Sequence, residues 1–318
     1  MANIDINFFP GWTRKSVTFT IDDGNVEMDK KFLDIVRPAG ILGTFNLCKW
    51  DSLAPDEYRE FYRGYEIANH CIHHAIAVDG DIETDVSDEP FDRESSDMNY
   101  IYKVSEGVYL EHIYKIWGKN TGTYDRPRGW HAVSPTKYYN TFADKTREEL
   151  EKIFGEGSVR GFAWPHGRGS DGAREHLISE GYQNIRRTGD LKDTTNFDMP
   201  ADRMNWTYNA HNVTLLEVMK LYEEYPDDGK LKFFSFGVHS VDFERANNWC
   251  DLATFAEKYG NRPEEYYYAS VGAILDYEDA VKSAIVTETE IVNNSNLPLY
   301  AKIDGEKVVV QPKTTYKI

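Results

Sequence analysis

Segments rich in β-branched and aromatic residues alternate along the chain with segments whose apolar residues recur at helical spacing. Seven segments of the first kind are predicted to be strands. They cover residues 16–21, 42–48, 65–69, 160–164, 182–187, 231–238 and 266–270. Because strands that alternate with helices pair in parallel through right-handed crossovers, we predict a closed or nearly closed α/β barrel.

Two segments depart from this alternation. Residues from about 75 to 140 form a long insertion after the third strand, and residues 285–318 contain short strand-like runs separated by turns. We therefore expect a barrel over residues 1–284 and a small β appendage over 285–318, packed on the barrel. After the insertion, Thr146 and Glu149 have capping-box spacing, which predicts a helix over residues 147–154.

Charge and composition narrow the range of partners. The chain has 53 acidic and 36 basic side chains, for a formal net charge of −17, and a nucleic-acid partner would need a basic face. Many of the acidic residues lie between 79 and 97. We interpret this segment as a solvated loop, because its glycine and its twelfth position do not fit a calcium-binding loop.

Targeting signals and cysteines give few further constraints. No run approaches the ~18 apolar residues that a membrane span needs, and no basic-then-apolar signal segment is present, which predicts a cytoplasmic protein. Three cysteines without paired spacing indicate no disulfide framework.

Candidate chemistry lies at the carboxyl ends of the predicted strands, where α/β folds place their sites. The side chains at these ends are Asp22, Asp23, His70, His74, His166 and His239. Adjacent carboxylates point in different directions, so one can bind a metal while the other handles a proton. Two histidines four residues apart share one side of a helical turn. One aspartate and two histidines leave coordination positions open, as a catalytic metal site requires.

The residues around these positions resemble a known family. The segments 17–24 (VTFTIDDG), 66–74 (EIANHCIHH), 162–167 (FAWPHG) and 238–240 (VHS) are similar to successive motifs of the polysaccharide deacetylases, the NodB-homology family or carbohydrate esterase family four. The resemblance implies a distorted seven-stranded (β/α) barrel. It also implies metal-dependent removal of acetyl groups from an acetylated carbohydrate.

Site roles follow from the resemblance, position by position. It implies that Asp23, His70 and His74 bind one divalent metal, most commonly zinc, with cobalt, nickel or manganese as alternatives. Asp22 would be the general base and His239 the general acid that protonates the leaving group. The backbone N–H of His166 would help to stabilise the oxyanion beside the metal.

The third motif departs from the family pattern. The arginine that often precedes its proline by two positions is Ala163 here, and Arg160, Arg186 or Arg187 are the candidates to replace it. The usual aromatic residue after the proline is His166, whose side chain could contact substrate, act as a further acid, or simply fill the aromatic position.

Two residues close to these positions have alternative roles. His73 could be a ligand, but we expect it to face outward, because the spacing of His70 and His74 fits a ligand pair better. Asp242 could orient His239 or could equally be a surface ion. Because sugar rings stack on aromatic side chains, we expect a substrate-binding surface near the metal. Its predicted members are Trp130, Trp164, Pro165 and Arg203.

Three functions are compatible with these residues. The leading hypothesis is a metal-dependent carbohydrate deacetylase. A second keeps the site but changes the substrate to linear or cyclic non-sugar amides. A third is a catalytically inactive homologue that binds carbohydrate.

Overall fold

The centre of the molecule is a seven-stranded parallel sheet that curls into a partial barrel. The computed structural model describes residues 2–80, 82, 86–87, 101–105, 107–112, 130–188 and 195–318. The barrel strands are β2 (Lys15–Asp23), β3 (Thr44–Leu47), β4 (Glu66–Asn69), β10 (Gly161–Ala163), β11 (Asn184–Arg186), β12 (Lys232–His239) and β13 (Tyr266–Tyr268). The seven predicted strands and the distorted α/β barrel are thereby confirmed.

The order of the strands fixes which residues meet at the carboxyl edge. The order is β11-β10-β4-β3-β2-β12, and β13 also pairs with β2. Strands β2 and β12 are in register along their length, ending with Asp22 opposite His239. Both strands are buried nearly throughout, as expected for parallel strands that are covered on both faces. Phe19, at the middle of β2, packs edge-to-face against Phe32 and Phe45.

The gap in the barrel lies between the edge strands β11 and β12. The irregular segment 203–210 fills it, with isolated bridges from Trp206 to Arg186 and from Ala210 to Phe236. This irregular closure is what distorts the barrel.

Helices cover the outside of the curled sheet. They are α1 (Val26–Val36), α2 (Pro55–Phe61), α3 (Thr136–Phe154), α4 (Asp171–Ser179), α5 (Leu215–Glu223), α6 (Ser240–Arg245), α7 (Trp249–Tyr259) and α8 (Val271–Lys282). The capping box predicted at Thr146 is wrong, because α3 already starts at Thr136. Thr146 lies inside this helix, on the face that also buries Tyr139 and Ala143. Among the described residues, no helix has the length and apolar character needed to cross a bilayer.

The insertion forms a sheet of its own. Its strands are β5 (Ile76–Val78), β6 (Val86–Ser87), β7 (Ile101–Ser105), β8 (Val108–His112) and β9 (Trp130–Pro135), in the order β5-β9-β8-β7-β6. Strand β5 begins just after the predicted ligand His74 and pairs in parallel with β9. Most of the acidic segment lies outside the described residues, but Asp79 accepts hydrogen bonds from Thr136 Oγ1 and from the N–H of Gly172.

Residues 285–318 form short strands, as predicted. They are β14 (Ile285–Val286), β15 (Glu290–Val292), β16 (Leu299–Ile303), β17 (Glu306–Val310) and β18 (Thr315–Lys317). The structure adds β1 (Ile4–Phe8), which pairs with β16 rather than with a barrel strand. Leu299 and Ala301 pack in one apolar cluster with Ile274 of α8. The appendage thus includes the first strand of the chain.

Candidate metal centre

Three potential ligands converge at the carboxyl edge of the barrel. Asp23 ends β2, His70 follows β4, and His74 lies in the 3₁₀ turn Ile72–His74. Asp23 Oδ1 is 3.5 Å from His70 Nε2 and 3.4 Å from His74 Nε2. One ligand atom from each residue lies within 4.8 Å of the others, the only such group that the described residues contain.

The ring of His70 is oriented for metal binding. Its Nδ1 donates to the carbonyl oxygen of Ala163 at 2.8 Å, which turns Nε2 towards Asp23. That Nε2 is buried and has no hydrogen bond to any described residue. A cation between Asp23 and the two imidazoles would satisfy this nitrogen, so the residues fit a divalent metal.

The turn that carries the ligands is irregular. We predicted a helical turn for residues 70–74, but Cys71, His73 and His74 all have positive φ, at 52°, 72° and 47°. Thr146 Oγ1 of α3 accepts from the N–H of Ile72 at 2.9 Å and holds the turn against the barrel. The rings of His70 and His74 still meet, with centroids 4.9 Å apart.

His73 does not belong to the ligand group. It is exposed and its ring packs against Phe142. The prediction that it points outward is correct.

The protonation states also suit a cation. Burial lowers the pKa of His74 to about 3, which keeps that imidazole neutral. Burial opposes ionisation of Asp23, but the imidazoles of His239, His70 and His74 outweigh it and hold its pKa well below the ordinary value. A neutral imidazole and an ionised carboxylate are the forms that bind metals.

Asp22, the predicted base, is held by a buried arginine. Arg186 Nη2 lies 2.5 Å from Oδ1 and 2.6 Å from Oδ2, and Asn46 Nδ2 donates to Oδ1 at 2.8 Å. Burial opposes ionisation of Asp22, but the Arg186 charge outweighs it and lowers the pKa. The guanidinium of Arg186 lies over the ring of Tyr208 at 5.3 Å.

Of the three candidates for the arginine missing from the third motif, Arg186 is therefore the one that contacts Asp22. The other two candidates have different partners: Arg160 pairs with Asp276, and Arg187 donates to the carbonyl oxygen of Thr188.

His239, the predicted acid, faces Asp23 on the other side of the site. Its Nε2 is 3.8 Å from Asp23 Oδ2, and its Nδ1 is 2.8 Å from Asp242 Oδ2. The open question about Asp242 is thus resolved, because this carboxylate orients the ring. Burial opposes protonation, but Asp23 and Asp242 outweigh it and raise the pKa of His239 to about 9.

Asp29 is a further buried acid, and it contacts the residue that follows His239. Asp29 of α1 accepts hydrogen bonds from Tyr62 Oη at 2.7 Å and from Ser240 Oγ at 2.6 Å, and Ser240 directly follows His239. Burial raises the pKa of Asp29 to about 7.

The third motif places His166 next to the ligands. Its ring centroid is 4.5 Å from that of His74 and 4.4 Å from that of His131, which the insertion supplies on β9. The oxyanion role of its backbone N–H remains a prediction.

The predicted substrate residues are only partly located at the site. Trp164 is in the core, 4% exposed, with its ring between Tyr139 and Phe162, so its predicted role as an exposed sugar platform is wrong. Pro165 is also buried, and it starts the short turn that carries His166. Trp130 begins β9, and the placement of its side chain lies outside the described residues.

Arg203 is a further correction. We expected it in the pocket, but it pairs with Glu278 and Asp279 of α8. The N-terminal end of α8 contacts Thr44 and Glu66, which begin β3 and β4. Arg203 therefore belongs to the end of the barrel opposite the metal centre.

Sequence reasoning missed two residues beside Arg186 and His239. Tyr208 and His211 pack ring against ring at 4.9 Å. Burial lowers the pKa of His211, with Arg186 and His239 contributing. Both residues lie near the bridge at Ala210, and no strand-like pattern marks that segment.

The chain is similar to one family of known proteins. The family model for polysaccharide deacetylase matches residues 11–185, more than half of the chain. No curated protein matches the chain. Among solved structures, a family 4 carbohydrate esterase from Streptomyces lividans is 12% identical, with a TM-score of 0.40 over 77% of this chain and 88% of that chain.

Two further solved structures have similar values. A peptidoglycan deacetylase from Bacillus subtilis is 12% identical, with a TM-score of 0.42 over 85% of this chain and 94% of that chain. A pseudoenzyme of carbohydrate esterase family 4 from Bacillus anthracis is also 12% identical, with a TM-score of 0.41 over 82% of this chain and 66% of that chain.

Proposed function

Because the chain belongs to the polysaccharide deacetylase family, we propose that it is a hydrolase that removes acetyl groups from an N- or O-acetylated oligo- or polysaccharide. One observation carries the proposal. A potential metal site, an arginine-held carboxylate and an aspartate-oriented histidine all meet at one edge of the barrel.

The metal would be held by Asp23, His70 and His74, and we propose zinc. When bound, it would supply Lewis-acid chemistry, lowering the pKa of water and polarising the acetyl carbonyl. The neutral imidazole of His74 and the low pKa of Asp23 support this assignment.

Two residues carry out the proton transfers. Asp22 accepts a proton from the attacking water, and Arg186 keeps it ionised and in place for that task. His239 donates a proton from Nε2 to the departing amine or alcohol, and Asp242 fixes the ring by binding Nδ1. Breaking the acetyl bond then yields acetate and the deacetylated sugar.

Acetate release by the zinc-loaded protein tests the proposal. Asp22→Asn should abolish turnover and retain zinc, whereas His70→Ala should lose zinc as well. Asp202→Asn, which removes a carboxylate paired with Arg174, is the matched control and should behave as wild type. Normal turnover by Asp22→Asn would refute the mechanism.

The substrate panel decides between the three functions. It should contain acetylated oligosaccharides of several lengths together with linear and cyclic amides. Hydrolysis of amides alone would favour the second hypothesis. Sugar binding without acetate release by zinc-loaded protein would favour the inactive homologue.

A further inference from the structure

Three imidazole rings lie in a row from the metal ligands to the insertion sheet. The rings of His74 and His166 meet at 69°, and those of His166 and His131 meet at 81°. His131 Nδ1 lies 3.4 Å from His166 Nε2, so one of these nitrogens donates to the other. The row joins a predicted ligand to a residue that the family motifs do not include.

The strand pairing explains how His131 reaches this position. Ile76 of β5 is in register with Val133 of β9. Each of these two paired residues follows a histidine by two positions: Ile76 follows His74, and Val133 follows His131. Side chains two residues apart share a face of a strand, so this register directs His131 towards the ligand turn. The ring of His131 is only 9% exposed.

The backbone of His166 is also in an unusual conformation. Its φ of 55° lies in the left-handed region, which a residue with a Cβ rarely adopts. Of the ten such non-glycine residues in the described part of the chain, five lie in the segments that carry this site: Asp23, Cys71, His73, His74 and His166. Disfavoured conformations persist only where the surroundings enforce them, and they cluster at functional sites.

We propose that His131 is a positioning residue of the metal centre. Through Nδ1 it holds the ring of His166 against His74, so that the insertion sheet forms one wall of the active site. Its effect on turnover rests on the proposed deacetylase function, whereas its effect on the ligand His74 can be measured without any substrate.

The experiment compares replacements that keep or lose the contacting atom. The amide of asparagine reaches about as far as Nδ1 of histidine, whereas the amide of glutamine reaches the position of Nε2. We would measure cobalt affinity from the visible absorption of the bound ion, kcat and KM for acetate release, and the thermal unfolding midpoint. His176→Gln, which removes a helix histidine paired with Asp144, is the matched control.

We expect His131→Ala and His131→Gln to weaken cobalt binding and to lower kcat/KM by about tenfold, as is typical when a residue that supports a metal ligand is removed. His131→Asn should stay within about threefold of wild type at the same unfolding midpoint. The double variant His131→Ala, His166→Ala should have the same cobalt affinity and the same kcat/KM as His166→Ala alone, because His131 acts through His166.

The outcomes separate this proposal from the proposed function. Equal losses in the asparagine and glutamine variants, additive losses in the double variant, or unchanged cobalt affinity in every variant would overturn the positioning role. If cobalt affinity follows the expected order and no sugar releases acetate, the proposed function fails and the positioning role stands.

Discussion

The ion pair between Arg186 and Asp22 gives the most direct test of how the site works. Arg186→Met removes the guanidinium and keeps an unbranched side chain. Asp22 then keeps its hydrogen bond from Asn46. The side chains of Arg186 and Asp22 are only 2% and 12% exposed, so water cannot replace the lost partner.

The loss of stability in Arg186→Met follows from this burial. Removing one partner of a buried ion pair leaves an uncompensated charge and typically destabilises a protein by about 3–5 kcal/mol. Without Arg186, only the smaller contributions of His70 and His239 oppose the effect of burial on Asp22, and its pKa rises. A protonated Asp22 cannot accept a proton, so kcat should fall by about 100-fold or more, within the range of general-base contributions. The acid limb of the rate profile should move to higher pH.

The assay combines urea unfolding with acetate release between pH 5 and pH 9. Arg187→Met is the control, because Arg187 is the neighbouring residue and its guanidinium binds a backbone carbonyl. Adding Asp22→Asn to Arg186→Met should restore much of the lost stability, since the uncompensated charge of Asp22 is then removed. If Asp22→Asn destabilises the Arg186→Met protein further, or if Arg186→Met keeps the wild-type rate profile, the reasoning is refuted.

Three further predictions concern the residues around the site. The pKa of Asp29 is raised to about 7, so in the metal-free protein this group's contribution to stability should fall by up to about 4 kcal/mol between pH 4 and pH 7, as the unfolded chain ionises it first, while the lowered pKa of His74 acts in the opposite direction. Asp29→Asn should remove that loss, and an unchanged pH slope in urea unfolding would contradict it. Asp242→Asn should lower kcat about 10–100-fold at constant KM, because His239 loses its orienting carboxylate; a steady-state assay checks this. In Gly237→Ala the added Cβ would lie 2.1 Å from the ring of Tyr208, so a cost of about 1–3 kcal/mol should appear as a lower urea midpoint.

The parts of the fold that could be predicted from the sequence are those with a local signal. The barrel strands are short apolar runs, and the acids and histidines at their ends are adjacent to those runs in the chain. The two ligands His70 and His74 could be paired by spacing alone, although the turn between them is irregular and not helical. Thr146 shows the limit of such signals, because a capping pattern proved to be a buried helix position that holds the ligand turn.

Contacts that depend on the curvature of the sheet or on the pairing of distant strands could not be predicted from the sequence. Arg186 on β11 and Asp22 on β2 are separated in the sheet by β10, β4 and β3, and they meet because the sheet curls. His131 reaches the site through the pairing of β9 with β5, which no spacing in the chain reveals. Trp164 lies at the end of a strand as expected, but its ring packs in the core.

The pairing of β1 with β16 has a consequence for how the protein is made. Asn3 and Asp304 are 301 positions apart and are hydrogen bonded, and Ile4 lies opposite Ile303. During synthesis β1 leaves the ribosome before the barrel strands and has no partner until β16 has followed them, while β2, β3 and β4 can already pair with one another. A strand with two isoleucines and a phenylalanine that stays unpaired for so long is exposed to aggregation, so we expect β1 to need protection in the nascent chain. The sheet that contains it can form only after all strands of the barrel that carries the site have been made.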